Sequence, residues 1–317
     1  MSAYLARSFP EQLEAAIHER YAVVRNPSGL AMNDEELASH AENCDYLFVS
    51  ATEKVTRRVF EKLAGSLKAV ATLSVGFNHV DLEAAREHGV AVFYSPGVLT
   101  DACADVAMLL VLAAARRAHE GESLVRSGKW PGWAPTQLLG IGLAGKRMGI
   151  LGMGRIGQAV AERARSFGVR VHYHNRRRLP AEIEKGAIYH DTPEDLLAMS
   201  EIFVITAPAT PELAGFLNRD RIALLPANAV VVNVARGEMI DDDALIEALK
   251  ENRVFAAGLD VFDHEPAVDP RYFGLQNAFL TPHIGSATED TRNAMGFLLL
   301  DGLRAFETGQ KASNRLC

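Results

Sequence analysis

The chain has 317 residues, 48% of them hydrophobic and 23% charged, an ordinary globular composition with ample core-forming material. The length exceeds what one hydrophobic core usually serves, so two domains are expected. A formal net charge of −7 and a pI near 5.8 argue against nucleic acid or an anionic membrane surface as partner. Cys44, Cys103 and Cys317 are far apart and lack metal-ligand spacing, so they read as reduced thiols of a cytoplasmic protein, with no metal site expected. Residues 1–10 carry Arg7 but no apolar core behind it, so no secretory signal is expected. The longest apolar run, 106–115, is too short for the ~20 residues of a bilayer span.

In chain order, "DYLFVS" (45–50) is a short apolar strand. "VTRRVFEKLAGS" has helical spacing at Val55, Val59, Phe60 and Leu63, and Gly65 ends it. "LKAVATLSV" is a strand, followed by the loop "GFNHV". "DLEAAREHG" is a helix with Asp81 as N-cap and Gly89 as stop, and "VAVFYSPG" is the next strand. Alternation of this kind implies a parallel sheet. Residues 100–127 form one long helical pattern, small and apolar as far as Ala115 and charged beyond. A loop rich in Gly and Pro follows and holds both tryptophans, Trp130 and Trp133. A second β-α-β series then runs through "RMGILG", "RIGQAVAERARSFG", "VRVHYHN", "EIFVITAPAT", "AVVVNVARG", "VFAAGLDVF" and "FLTPHIGSAT". The stretch from Glu289 onward is helical.

Gly152-x-Gly154-x-x-Gly157 directly follows an apolar strand and opens a helix. In that context the glycines suit a tight turn and close approach of backbone N–H groups to a pyrophosphate at the helix N-terminus. The next strand ends at Asn175, 23 residues after Gly152, where an acid would bind a ribose 2′-hydroxyl. Asn175 is followed instead by Arg176, Arg177 and Arg178. A carboxylate would repel a 2′-phosphate. A guanidinium fork matches it with charge-assisted hydrogen bonds worth ~1.5–3 kcal/mol each, or ~10- to 150-fold in affinity. The pattern points to NADP(H) over NAD(H), with Arg176 and Arg177 favoured as ligands; a solvated basic loop is the alternative.

Arg236 stands just past a buried strand, Glu265 after another and His283 after a third. Ligands of open α/β sheets bind outside the carboxyl ends of the strands, so these three are expected to converge. An arginine fork holds a 2-oxo acid by its carboxylate, and a histidine exchanges a proton with its carbonyl oxygen. A carboxylate on the far imidazole nitrogen fixes the tautomer. Taken singly, a histidine is more often structural, an arginine more often a surface ion pair, and "DHEP" could be a turn; their joint appearance at strand ends changes that balance.

The segments "SVGFNHVD" (74–81), "GMGRIGQAVA" (152–161), "VNVARGEMID" (232–241), "AAGLDVFDHEP" (256–266) and "TPHIGSAT" (281–288) resemble the D-isomer-specific 2-hydroxyacid dehydrogenase family, glyoxylate/hydroxypyruvate reductase branch. The resemblance implies an α/β fold of two Rossmann-like domains with parallel sheets. In it a cofactor domain, 99–286, is inserted into a flavodoxin-like substrate domain, 1–98 and 287–317, with the active site in the cleft. It implies that Arg236 binds substrate, His283 is the acid/base and Glu265 supports it. Val75 and Gly76 would offer N–H groups to the substrate carboxylate. Arg155, Ile156, Val234, Asp260 and Gly285 would join Gly152, Gly154, Gly157, Asn175, Arg176 and Arg177 around the cofactor. The family also implies a homodimer, with the helix from Thr100 contributing and Trp133 capping the neighbouring subunit's pocket. Ordinary loop or interface packing is the alternative for Trp130 and Trp133. Cys103 reads as a small packed residue.

The expected activity is NADPH-dependent reduction of glyoxylate and hydroxypyruvate. Two alternatives stand beside it: a reductase of bulkier acids such as phenylpyruvate, and a non-catalytic dinucleotide-sensing binding protein.

Overall fold

The computed structural model describes residues 1–317. The first elements are β1 (Ser2–Leu5), α1 (Glu11–Arg20), β2 (Ala22–Arg25), α2 (Asp34–His40), β3 (Tyr46–Val49), α3 (Arg57–Lys62), β4 (Ala69–Thr72), α4 (Leu82–Glu87) and β5 (Ala91–Phe93). Then come α5 (Thr100–Ala115), α6 (Ala118–Arg126), β6 (Arg147–Leu151), α7 (Arg155–Ser166), β7 (Arg170–His174), α8 (Ala181–Glu184), β8 (Ile188–Tyr189), α9 (Pro193–Met199), β9 (Ile202–Ile205), α10 (Arg219–Leu224), β10 (Ala229–Asn233), α11 (Asp242–Lys250), β11 (Val254–Leu259) and β12 (Ala278–Leu280). The chain closes with α12 (Glu289–Glu307). Contacts group it into two compact units, Met1–Leu99 with Ala287–Cys317, and Thr100–Ser286.

The first unit is a five-stranded sheet in the order β2-β1-β3-β4-β5, every pairing parallel. That is the flavodoxin-like doubly wound order. β3 and β4 are buried at every position, so apolar cores form on both faces, one including Leu37, Val59 and Phe60 and the other Leu13, Ile17 and Leu299. Polar side chains set the helix starts: Asn33 and Glu36 form a capping box at α2, and Asp81 accepts the Ala84 N–H at α4.

The second unit is a seven-stranded sheet in the order β12-β11-β10-β9-β6-β7-β8, again all parallel. Counted from its own first strand, this is the Rossmann order with a seventh strand added. The winding reverses between β6 and β9, and a crevice at the carboxyl ends of these two strands is the ligand position the topology provides.

The long helix expected over 100–127 is two helices. Arg117 has a left-handed backbone (φ 52°), which breaks the i→i−4 ladder, and its guanidinium pairs with Glu120 at 2.6 Å. The Ile141 N–H, arriving from the following loop, donates to the Ala115 carbonyl at 2.8 Å and satisfies the end of α5. α5 is largely buried and packs on α7, β10 and β11, whereas α6 has no buried residue. No helix is long and apolar enough to cross a membrane.

Candidate active site

The Thr100–Ser286 unit carries the glycine turn at its switch point. Gly152 leaves β6 with φ +94°, and a Cβ there would lie 2.5 Å from Ala207, which follows β9. The two strand-end turns therefore touch backbone to backbone, and only glycine fits. Gly157 is equally close-packed, against the Gly152 carbonyl and Thr206. Gly154 differs, because a Cβ there would meet nothing within 4 Å. Gly154 is also the N-cap of α7, with no side-chain cap and no acid in the first turn. The room beside Gly154, the uncapped N–H groups and the positive end of the helix dipole together fit the pyrophosphate of a dinucleotide. Arg155 is exposed beside this turn, and Ile156 is half-buried against the core below it.

Asn175 closes the turn from the side. Its Oδ1 accepts the Met153 N–H at 2.7 Å, tying the end of β7 to the glycine loop. Of the three arginines that follow, Arg178 is paired: Nε and Nη2 lie 2.8 and 3.1 Å from Glu184. Arg176 and Arg177 are exposed, and neither forms an ion pair within the chain. The carboxyl of nearby Glu212 is held below its ordinary range, first by the Thr210 hydroxyl and in smaller part by Arg176.

His283 and Glu265 come together, with His283 Nδ1 2.7 Å from Glu265 Oε2. Glu265 Oε1 accepts the Phe262 N–H at 2.9 Å, so the carboxylate is held at both oxygens. Burial pushes the Glu265 carboxyl up, but His283, the Phe262 N–H and Arg236 outweigh it and leave the group below the usual carboxylate range. Because Nδ1 is engaged, Nε2 is the imidazole nitrogen left to exchange a proton. Arg236 is half-buried in an extended conformation after β10, and its Nη1 donates to the Ala235 carbonyl at 2.7 Å. A Cβ on the next residue, Gly237, would collide with the backbone of Phe262 and Asp263. This close approach draws the Arg236 loop against the segment leading to Glu265.

Two further residues, Asp260 and Cys103, shape the site. Asp260 is 1% exposed, and its carboxylate takes three donors: Thr281 Oγ1 at 2.7 Å and the N–H groups of Ile284 and Gly285 at 2.8 Å each. Its carbonyl accepts the His283 N–H at 2.9 Å. Asp260 thus anchors the loop that holds His283 in a left-handed conformation, φ 53°. Burial raises the Asp260 carboxyl, against the pull of these donors. Cys103 is packed at Gly285, and burial pushes its thiol up to about 12. Val234, just past β10, donates to the Ile205 carbonyl at 3.3 Å.

In the other unit, the N–H groups of Val75 and Gly76 donate to no protein acceptor. Their loop is held from beneath. Ser74 Oγ donates to the Gly76 carbonyl at 2.6 Å, and Thr72 Oγ1 meets Ser74 at 2.9 Å and His79 Nε2 at 2.8 Å. Trp133 is 80% exposed, while Trp130 is tied to Gln137 at 3.1 Å.

These features define a dinucleotide turn and a histidine–carboxylate pair beside an arginine. Residues 108–285 match the D-isomer specific 2-hydroxyacid dehydrogenase family, NAD binding domain. The chain is 38% identical to a glycerate dehydrogenase of Hyphomicrobium methylovorum over 97% of its own length and 96% of the relative's. It is 40% identical to a glyoxylate reductase of Thermococcus litoralis over 98% and 95%. A solved structure of the NADPH-dependent glyoxylate/hydroxypyruvate reductase of Sinorhizobium meliloti, in complex with NADP and malonate, superposes with a TM-score of 0.88 at 30% identity, covering 100% of this chain and 96% of that one. The chain belongs to the D-isomer specific 2-hydroxyacid dehydrogenase family.

Proposed function

We propose that the protein is an NADPH-dependent reductase of small 2-oxo acids, converting glyoxylate to glycolate and hydroxypyruvate to D-glycerate. The reading is carried by the 2.7 Å contact of His283 with Glu265, with Arg236 close enough to help lower the Glu265 carboxyl. The names of the relatives support the substrate class. The unpaired Arg176 and Arg177 support NADPH over NADH.

A nicotinamide dinucleotide, when bound, supplies the hydride. Gly152, Gly154, Gly157, Arg155 and Ile156 hold its pyrophosphate, and Asn175, Arg176 and Arg177 take the ribose and its 2′-phosphate. Val234, Asp260 and Gly285 would complete the contacts to the cofactor. Arg236 binds the substrate carboxylate and polarises the 2-oxo group. In their own unit, Val75 and Gly76 are the substrate-binding N–H donors. His283 gives the proton on Nε2 to the carbonyl oxygen as that oxygen becomes a hydroxyl. Glu265 remains ionised and stabilises the imidazolium before transfer. Trp133 restricts the pocket to small acids from a neighbouring subunit.

That role for Trp133 requires a homodimer. The second unit exposes Leu109 at 44%, Val125 at 62%, Trp130 at 52%, Trp133 at 80% and Leu139 at 61%, an apolar set consistent with a second copy. A cytoplasmic location suits the three unpaired cysteines.

Absorbance at the nicotinamide band, with NADPH or NADH and a panel of glyoxylate, hydroxypyruvate, pyruvate and phenylpyruvate, tests the whole reading. Fast NADPH oxidation with glyoxylate and hydroxypyruvate is expected. Preference for phenylpyruvate would overturn the pocket assignment. No oxidation with any acid would favour a dinucleotide sensor.

A further inference from the structure

Three consecutive arginines stand after β7, and the chain treats them unequally. Arg178 meets Glu184 through both Nε and Nη2, at 2.8 and 3.1 Å. The Glu184 side chain is only 6% exposed, and its Oε1 also accepts the Tyr173 hydroxyl at 2.6 Å. Tyr173 is fully buried within β7, and its hydroxyl in turn accepts the Leu179 N–H at 2.9 Å. Arg165 of α7 adds a hydrogen bond to the Glu184 carbonyl at 2.8 Å. Arg178 also lies over the Tyr189 ring, 5.9 Å from its centroid.

The segment is therefore fixed at both ends. Asn175 is bound to Met153 at one end, and Arg178 and Leu179 are bound to Glu184 and Tyr173 at the other. Between these ties stand Arg176 and Arg177, exposed and unpaired. A two-residue span with fixed ends has few conformations to lose when a ligand binds, so its guanidinium groups are pre-organised.

We propose that Glu184 is a positioning residue for cofactor discrimination: it withdraws Arg178 from ligand binding and uses it to anchor the loop, so that Arg176 and Arg177 are the pair presented to a 2′-phosphate. The inference rests on the NADPH reading above. It assigns the Glu184–Tyr173–Arg178 cluster, buried on the Glu184 and Tyr173 side, to specificity, although none of the three need touch the nucleotide. The Glu184 carboxyl is pushed down to about 2, chiefly by Arg178 and Tyr173, so the anchor is charged throughout the neutral range.

Calorimetric titration of the full chain with adenosine 2′,5′-bisphosphate and with AMP tests this without turnover. Wild type should bind the bisphosphate more tightly than AMP. Glu184→Gln should weaken the bisphosphate roughly 5- to 30-fold, the scale of two side chains losing their order, and leave AMP within about twofold. Arg178→Lys approaches the same contact from the exposed side. It keeps the charge, loses the fork and should act in the same direction. In an Arg176→Ala/Arg177→Ala background, adding Glu184→Gln should change bisphosphate affinity by less than about twofold, because nothing is left to position.

Equal loss for both ligands, or a Glu184→Gln effect that persists in the double-alanine background, would overturn the inference. So would wild-type discrimination surviving in Glu184→Gln. If Arg178→Lys weakens the bisphosphate even without Arg176 and Arg177, Arg178 is itself the ligand and the inference fails. Wild type binding the bisphosphate no better than AMP would instead remove the NADPH reading itself.

Discussion

Glu265 Oε2 and His283 Nδ1 lie 2.7 Å apart, although the two residues sit on loops leaving different strands, β11 and β12. The imidazole is held at one nitrogen by this carboxylate and at its backbone by Asp260, which leaves Nε2 as the proton-exchanging atom. His283→Ala should lower turnover by ~10²–10⁴-fold and leave dinucleotide affinity, read by nucleotide fluorescence, nearly unchanged. Undiminished turnover would remove His283 from the chemistry.

Arg236→Lys keeps a positive charge and loses the planar fork. Its main effect should be a Michaelis constant for the 2-oxo acid raised ~10- to 150-fold, the scale of a lost charge-assisted hydrogen bond. Steady-state kinetics at saturating NADPH read it directly. An unchanged constant would mean that the substrate carboxylate binds elsewhere.

The two glycines of the turn should separate under substitution. Gly152→Ala forces a Cβ to within 2.5 Å of Ala207 at φ +94° and should lower stability by about 1–3 kcal/mol. Gly154→Ala meets no protein atom, so its melting temperature should stay near wild type while dinucleotide affinity falls. Equal stability losses in the two variants would contradict this division.

Cys103 is 8% exposed, and its thiol is pushed up to about 12 by burial and by Asp260. At pH 8 it is therefore protonated and shielded. Iodoacetamide should leave it unmodified for as long as the protein stays folded, as peptide mass spectrometry would report. Rapid alkylation at Cys103 would show that the packing around Gly285 opens.

The Glu184 anchor has a signature in acid. Its carboxyl pKa, about 2 in the folded chain, lies below the ~4.3 of an unfolded glutamate. Its contribution to stability is therefore complete above pH ~4.3 and is lost as the pH falls toward the folded value. Chemical denaturation of wild type and Glu184→Gln should give a constant stability gap above pH 5 that narrows below it. A gap that widens on acidification would rule out an ionised anchor.

Much of the architecture is written in local pattern. β9 and β10 are buried at every position, so they appear in the sequence as uninterrupted apolar runs, and the glycine turn follows β6 without a gap. The fold class and the convergence of Glu265 with His283 follow from such runs and the residues that end them. What the pattern conceals depends on distant partners. Residues 100–127 read as one helix because its stop, the Ile141 N–H on the Ala115 carbonyl, arrives from a loop 26 residues later. β2 is an edge strand, mostly exposed, and β8 has two residues, so neither produces a periodic signal. Three identical arginines carry nothing that tells Arg178 from its neighbours until Glu184 and Tyr173 are placed beside it. Asp260, which the resemblance places among the cofactor contacts, also holds the His283 loop, a role no local pattern carries.

Helix α6, which has no buried side chain, acts as a reporter. Its nine residues are at best half-buried and touch mainly α5 and β12, so their amides should exchange much faster than those of the buried α5. Protection there beyond that of the dilute protein must come from something outside the chain. Protection that rises with protein concentration would report a second copy, and the midpoint of that rise would give the dimer's dissociation constant without any label.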